Sequence, residues 1–317
     1  MKQVAFVIDP IETFNVAKDS TLAMMQAALD LDLQVYFCQS KQLYAAQGKV
    51  FAEMQQLLQI DLAATPWYQC TDVMDLSLDE IDVLVMRQDP PFDMHYIYAT
   101  YLLELARQQG VRVLNDPRSI RDCNEKFFIH WFPHCITDTL VTADETRLRD
   151  FLVRVQDIIV KPLDGMGGRD IFRLRLHDPN ISAVLQHLTK MGVEHVMAQR
   201  YLPEVKQGDK RILLIGGEPV PYALARIPAE GETRANLAAG GRGQAVALTA
   251  RDQWLCEQVG PELRARGLWF VGLDVIGDYI TEINVTSPTC IRELDTQCDL
   301  QIARDFWLSV QALNLSN

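Results

Sequence analysis

Basic residues are scarce in this chain: 30 lysines and arginines stand against 42 aspartates and glutamates among 317 residues, a formal net charge of −12. That balance excludes a broad nucleic-acid or anionic-membrane surface, so any phosphate site has to be built locally from a few cations. Cysteine is sparse as well. Cys38, Cys70, Cys123, Cys135, Cys256, Cys290 and Cys298 are odd in number, scattered and without a C-x-x-C pair, which argues against a disulfide or zinc framework and suits a reducing compartment. No uncharged apolar run reaches the roughly 18 residues of a membrane span. The first apolar stretch, residues 4–8, meets Asp9-Pro10 too early for the core of a secretion signal. The expected location is therefore cytoplasmic, with neither membrane nor nucleic acid as a partner. Internal repeats and low-complexity tracts are missing too.

What is present is an ordinary globular composition, 48% hydrophobic and 23% charged, long enough for two or three units with cores of their own. Strands and helices alternate over the first third. Residues 4–8 read as a strand, and Asp19-Ser20 caps a helix to residue 31 with Leu22, Met25 and Leu29 on one face. A short strand at 35–37 leads into a less regular stretch with a turn at Gln47-Gly48. Residues 81–86 then form an apolar run of buried-strand type, closed by Arg87-Gln88-Asp89-Pro90-Pro91. A helix follows over 94–109, stopped by Gly110, and a strand at 111–114 ends at Asn115-Asp116-Pro117. This alternation predicts an α/β unit around a parallel sheet. From residue 123 the texture changes to hairpins, with strands at 157–161, 171–176, 196–199, 211–215 and 220–224, which sets a boundary near 120.

The most informative stretch is LDVIGDYITEINVTSP, residues 273–288. Glu282 and Asn284 alternate onto one face of a strand at 279–285, and residues 268–276 supply its apolar partner. If Asp274 pairs with Glu282, three hard oxygen donors converge, a partial cage that expects magnesium together with substrate phosphates. That register calls for an odd loop of about three residues around Gly277-Asp278. A half-buried hairpin with ordinary polar residues outside gives the same local pattern.

Cations and glycines elsewhere fit a phosphate ligand. Lys161 ends an apolar strand and is followed by Gly165, Gly167 and Gly168, a loop that lets backbone amides approach phosphate oxygens. It is neither a Walker A loop nor a dinucleotide fingerprint, because no Gly-Lys-Ser/Thr and no helix follow. Lys126, opening a short aromatic helix, faces the same ligand if the two segments fold together, and is otherwise a solvated side chain. Gln199, Tyr201 and Leu202 follow a strand and offer backbone to an adenine edge. Asp209 is placed for ribose hydroxyls, and Lys210 or Arg211 for phosphate, Arg211 having the planar fork for bidentate contact. Residues 226–242 are Gly/Ala-rich and carry Arg226, Arg234 and Asn236, the composition of a mobile lid or of a plain surface loop. Ser287, Thr289 and Arg292 suit a substrate carboxylate and amine. Ser287-Pro288 equally suits a helix start.

Taken in order, Asn124-Glu125-Lys126, Lys161 to Gly168 (KPLDGMGG), Gly208-Asp209-Lys210-Arg211, Arg234 to Gly241 (RANLAAGG), and Asp274 with Glu282 to Thr289 (EINVTSPT) resemble the bacterial glutathione synthetases of the ATP-grasp superfamily. Asp9-Pro10, Lys18-Asp19-Ser20 and Met86-Arg87 with Asp89 to Asp93 (DPPFD) are similar to that family's N-terminal domain, and residues 40–80 match least. The resemblance implies an N-terminal parallel-sheet, Rossmann-like pre-ATP-grasp domain over 1–122, then a two-lobed α+β ATP-grasp domain over 123–317. Its lobes would be 123–200 and 201–317, the second carrying the 226–242 lid. It implies ATP-dependent ligation of γ-glutamylcysteine to glycine through an acyl phosphate in a homotetramer. Mg²⁺, or Mn²⁺, would sit on Asp274, Glu282 and Asn284, and Lys126, Lys161 and Arg211 around the transferring phosphoryl group. Arg87, Asp89, Arg226, Ser287, Thr289 and Arg292 would hold substrate. Another ATP-grasp ligase, such as a peptide or D-alanine ligase, a nucleotide-binding module without turnover, and a phosphotransferase are the competing readings.

Overall fold

The computed structural model describes residues 1–165, 167–228 and 242–315, which form three sheets. The first contains β1 (Gln3–Val7), β2 (Gln34–Cys38), β3 (Leu43–Ala46), β4 (Lys49–Ile60), β5 (Tyr68–Cys70), β6 (Met74–Ser77), β7 (Val83–Met86) and β8 (Arg112–Leu114). Helices α1 (Ser20–Asp30), α2 (Met94–Gln108) and α3 (Pro117–Asp122) connect them. Asp19 caps α1 by accepting from the Leu22 amide at 2.8 Å, as its position before the apolar stripe predicts. Strands β1, β2, β7 and β8 pair in parallel. The expectation of a parallel sheet fails over 43–77, where β3 to β6 all pair antiparallel and the 12-residue β4 runs beside β2. Val50, Ala52 and Met54 bury in alternation there, but the next buried residue is Leu57, so the period of two slips mid-strand and the pattern fades.

The second sheet is antiparallel, in the order β11-β10-β12-β9: β9 (Thr139–Thr142), β10 (Asp157–Pro162), β11 (Phe172–Arg175) and β12 (Val196–Arg200). Alternation divides it cleanly. Ile158, Val160, Leu174, Val196 and Ala198 pack under α4 (Glu145–Val155) and α5 (Ile181–Leu188), which leaves Asp157, Ile159 and Lys161 on the opposite face.

The third sheet, also antiparallel, runs β15-β14-β13-β16-β17. Its strands are β13 (Asp209–Ile215), β14 (Glu218–Ile227), β15 (Arg242–Ala247), β16 (Phe270–Ile276) and β17 (Tyr279–Asn284). Ile212, Leu214, Leu273, Val275 and Ile283 pack against Leu255, Val259 and Leu263 of α6 (Ala250–Ala265). The other face, through Leu213, Leu224 and Phe270, meets α7 (Ile291–Cys298) and α8 (Ile302–Leu315), and these in turn meet β1 and α1. The buried Trp307 stands edge-on to Phe6 at 5.8 Å and donates to the Met24 carbonyl at 2.8 Å. The first and third sheets therefore share one core.

Asn115, right after β8, ties them further. Its amide nitrogen donates to the Phe270 and Val285 carbonyls at 2.8 and 2.7 Å, and its oxygen accepts from the Trp269 and Phe270 amides at 2.6 and 2.9 Å. A buried side chain with both ends satisfied fixes the angle between two units in a way an apolar contact does not.

Candidate active site

Two walls face each other across one cavity, and the third sheet supplies the charged wall. Strand register brings Arg211, Asp274 and Glu282 side by side across β13, β16 and β17. The pairing of Asp274 with Glu282 agrees with the hairpin expectation, but not by the expected route. Gly277-Asp278 is a two-residue turn pairing Ile276 with Tyr279, and a bulge at Thr281, between Ile280 and Glu282, restores the register. Arg211 grips Asp274 with Nε and Nη2, the latter at 3.1 Å, and Arg226 Nη2 reaches the same carboxylate at 2.9 Å. Arg226 also bonds Asp209 Oδ2 at 2.6 Å. Arg211 passes so close over Gly272 that a Cβ there would lie 2.8 Å from its Cδ, so only glycine fits beneath it.

Electrostatics follow from this burial. Burial alone would push the Asp274 carboxyl up, and the Arg211 and Arg226 guanidinia outweigh it, leaving it below the usual carboxylate range. Glu282 is likewise raised by burial and pulled lower overall by Lys126 and Lys161. Asp209 goes the other way: burial wins over Arg226 and lifts it to about 6. Its Oδ1 is buried without a hydrogen-bond partner among the described residues, although it lines the cavity.

The second sheet supplies the facing wall. Lys161, at the end of β10, crosses to Glu282 Oε1 at 3.0 Å, and Lys126 lies 3.8 Å from the same oxygen. Both lysines are buried. Asn124 caps the turn that carries Lys126, accepting from the Lys126 and Phe127 amides at 3.1 and 2.9 Å, and Lys126 Nζ donates to the Gly165 carbonyl. The glycine loop is thus tied to the second lysine. Gly165, Gly167, Gly168, Gln199, Tyr201 and Leu202 all line the cavity, as do Asp209, Arg226 and Asn284. Its empty space, open solvent included, is about 1140 Å³, ample for a nucleotide.

Several expectations change. Lys210 lies outside this cavity: β13 alternates, so Asp209 and Arg211 point in while Lys210 points to the other side, to the fully buried Asp252 of the capping box that starts α6. Arg226 is a buried strand residue bound to Asp209 and Asp274 rather than the base of a lid. Residues 226–227 and 242 belong to β14 and β15. Arg234 and Asn236 lie outside the described residues. Ser287-Pro288 does not open a helix. α7 starts at Ile291, after Cys290 at φ 94°, and the Pro288 carbonyl accepts from Arg87 Nη2 at 2.9 Å.

Of the expected substrate residues, Arg87, Asp89, Ser287 and Arg292 meet in a second cluster where the first sheet touches the segment after β17. Ser287 Oγ donates to Asp89, Arg87 Nε donates to Thr21 at 3.1 Å, and Arg292 Nε donates to the Asp19 carbonyl at 3.1 Å. Thr289 is exposed at its edge. Asp9 joins through the Asp89 amide, at 2.8 Å.

Sequence reasoning missed Glu125, Thr137, Ile159, Ile171 and Thr281, all lining the cavity. Glu125 was legible only as a neighbour of Lys126. It holds the end of β17, accepting from the Val285 and Thr286 amides at 2.9 and 3.0 Å. Ile159 carried a usable signal, the period of two that sets Lys161 on the same face of β10.

Two carboxylates and one amide suit a hard cation completed by phosphate oxygens. Asn284 spends its amide nitrogen on the Gly272 carbonyl at 3.1 Å, which leaves its oxygen as the acceptor end. Among the described residues no group of three or more His, Cys, Asp or Glu is placed to hold a metal ion. No described helix is long and apolar enough to cross a membrane.

Residues 1–121 match the family model of the prokaryotic glutathione synthetase N-terminal domain, and residues 125–299 match that of the prokaryotic glutathione synthetase ATP-grasp domain. Glutathione synthetase of Pseudomonas putida is 53% identical over 300 residues, 95% of this chain and 94% of that protein. The Escherichia coli enzyme of the same name is 48% identical over 302 residues, 95% of each chain. Among solved structures, D-cycloserine synthetase aligns with TM-score 0.68 at 13% identity, over 97% of this chain and 99% of that one. An ATP-grasp ligase complexed with a minimal precursor, Mg and ADP aligns with TM-score 0.62 at 14% identity, over 98% and 97%. At such identities these structures speak to the fold alone, and the fold is ATP-grasp.

Proposed function

The chain belongs to the prokaryotic glutathione synthetase family and is an ATP-dependent ligase that uses a divalent metal, and from that premise we propose that it joins γ-glutamylcysteine to glycine, giving glutathione, ADP and phosphate. The observation that carries this reading is the meeting of Lys126, Lys161, Arg211, Asp274, Glu282 and Asn284 at one cavity, in a chain 53% identical over 300 residues to a glutathione synthetase.

A carboxylate is a poor electrophile at neutral pH, so the cysteinyl carboxylate oxygen first attacks the γ-phosphorus of ATP and ADP leaves. The glycine amine then attacks the acyl carbon, and phosphate departs carrying that oxygen. Both steps gather negative charge, so positioned cations do the work and no covalent enzyme nucleophile is needed. Lys161 reaches the phosphates from the second sheet, Lys126 from the turn capped by Asn124, and Arg211 from the third sheet. The cation held by Asp274, Glu282 and Asn284 would supply the remaining positive charge; Mg²⁺, or Mn²⁺ in its place, is the proposed ion. The unpartnered Asp209 Oδ1 supports a ribose hydroxyl as its donor, and the 199–202 segment supports the adenine edge. Water exclusion by the segment between β14 and β15, with Arg234 and Asn236 in it, belongs to the same proposal.

Arg87, Asp89, Ser287, Thr289 and Arg292 are proposed for the dipeptide's charged ends. So are the division at residues 122 and 200, a cytoplasmic location and a homotetramer, for which α2 offers the exposed Met94, Tyr98 and Tyr101. Sedimentation at micromolar concentration checks the last. The function itself is tested by ADP release from ATP and Mg²⁺ with γ-glutamylcysteine, with and without glycine. Glycine-dependent ADP matched one-to-one by glutathione is the expected result. Nucleotide binding with no response to either substrate would mean another carboxylate and amine.

A further inference from the structure

At the end of β12 the two middle residues of the segment 199–202 are both tied to neighbouring segments. The Arg200 amide donates to the Asp138 carbonyl at 2.9 Å, and its guanidinium bonds the Asp138 carboxylate at 3.0 and 2.8 Å. Tyr201 is held differently. Its amide donates to the Asp157 carbonyl at 3.0 Å, and the Arg173 guanidinium lies 3.4 Å from the centre of its ring. Arg173 is itself fixed by a two-pronged grip on the Asp157 carboxylate, Nε to Oδ1 at 2.9 Å and Nη2 to Oδ2 at 2.6 Å. One residue therefore anchors Tyr201 twice, through its backbone carbonyl and, by way of Arg173, through its carboxylate.

Strand register puts this brace on the cavity side. Arg173 pairs with Ile159, which pairs with Gln199, and residues directly opposite in antiparallel strands share a face; Ile159, Gln199 and Tyr201 all line the cavity. Arg175 also touches Asp157, at 3.4 Å, but its side chain is 66% exposed and no part of it enters the stack.

We infer that Arg173 is a positioning residue for the nucleobase, acting through Tyr201 to set the 199–202 backbone and with it the preference for adenine over guanine. The inference rests on the reading of the cavity as an ATP site. Adenine offers a donor beside an acceptor where guanine offers the reverse, so a backbone edge that fits one opposes the other. Discrimination then depends on how firmly that edge is held. A planar guanidinium held by a carboxylate suits this task because it stacks and pairs at once, which a lysine cannot do.

Arg173→Met is the test. Loss of the stack raises KM for ATP about 5- to 10-fold. With it, kcat stays within about twofold, KM for γ-glutamylcysteine holds, and the ratio of GTP to ATP turnover rises several-fold. Arg173→Lys keeps the charge without the plane and behaves like Arg173→Met, whereas Arg175→Ala behaves like the parent. ADP affinity by calorimetry gives a readout without turnover. Parent-like ADP affinity and GTP-to-ATP ratio in Arg173→Met would overturn the inference. So would a common shift of every KM together with Tm, the signature of a loosened β11. If the parent binds ADP but makes no glutathione, the substrate assignment fails while ADP affinity still decides the role of Arg173. If it binds no adenine nucleotide, both fall.

Discussion

The two walls of the cavity are built on different principles. On the third sheet, Arg211, Arg226, Asp209 and Asp274 are all buried and make one continuous ion network. On the second, the face toward the cavity is Ile159, Gln199 and Tyr201 with a single buried lysine, and the ion pairs within it, Arg173 with Asp157 and Arg200 and Arg154 with Asp138, are partly exposed. Buried charges are costly to bring together and fixed once there, which suits a wall that must meet developing negative charge without rearranging. Partly exposed pairs hold a shape at little cost, which suits a wall that, apart from Lys161, has to receive a flat ring.

That contrast breaks most visibly at Asp274. Asp274→Asn leaves Arg211 and Arg226 without their shared countercharge, so unfolding stability should drop by about 3 to 5 kcal/mol. Turnover should fall at least a hundredfold. Denaturant titration and kcat measure the two, and a stable, active Asp274→Asn protein would show that the network is ornamental. Lys161→Met comes next. Losing one charge-assisted hydrogen bond to phosphate costs about 1.5 to 3 kcal/mol, or roughly 10- to 150-fold in kcat/KM for ATP. Unchanged nucleotide affinity and turnover would remove Lys161 from the site.

Glu282→Gln sharpens the comparison in two ways. Activity should become more dependent on magnesium and recover in part as the metal is raised; an unaltered magnesium dependence would contradict the assignment. The substitution should also flatten the acid limb of stability. Lys126 and Lys161 hold the folded Glu282 carboxyl below its ordinary value against burial. Its contribution is therefore fully present above about pH 4.3 and lost as pH falls through the depressed folded value. Urea midpoints between pH 5 and 3 should decline less steeply in Glu282→Gln than in the parent. The smallest effect belongs to the other wall: Arg200→Ala removes a partly exposed pair and should cost under about 1 kcal/mol, with kcat unchanged.

How much of this was legible in the sequence depended on whether a residue's role is set by its own strand or by a distant one. Alternation along β17 put Glu282 and Asn284 together, and the glycines after Lys161 announced a loop, because both are local. The hairpin register was right while its turn was wrong, since a bulge at Thr281 conserves facing without conserving loop length. Lys210 and Arg211 read alike as neighbouring cations, and only the strand's period separates them. Arg226 read as part of a lid because the glycines beyond it dominate the composition, while its partners Asp209 and Asp274 lie on neighbouring strands. Asn115 looked like a strand-ending turn, and nothing local hinted that it satisfies four backbone groups at the start of β16 and just past the end of β17.

The cations that both walls bring to the cavity are proposed to serve acyl phosphate formation, and isotope transfer tests that directly. γ-Glutamylcysteine labelled with ¹⁸O in its cysteinyl carboxylate should, in the presence of ATP, Mg²⁺ and glycine, give inorganic phosphate carrying one ¹⁸O for each glutathione formed. Unlabelled phosphate alongside labelled glutathione would mean that the γ-phosphoryl group never met the carboxylate, and the roles given to Lys126, Lys161 and Arg211 would have to be abandoned.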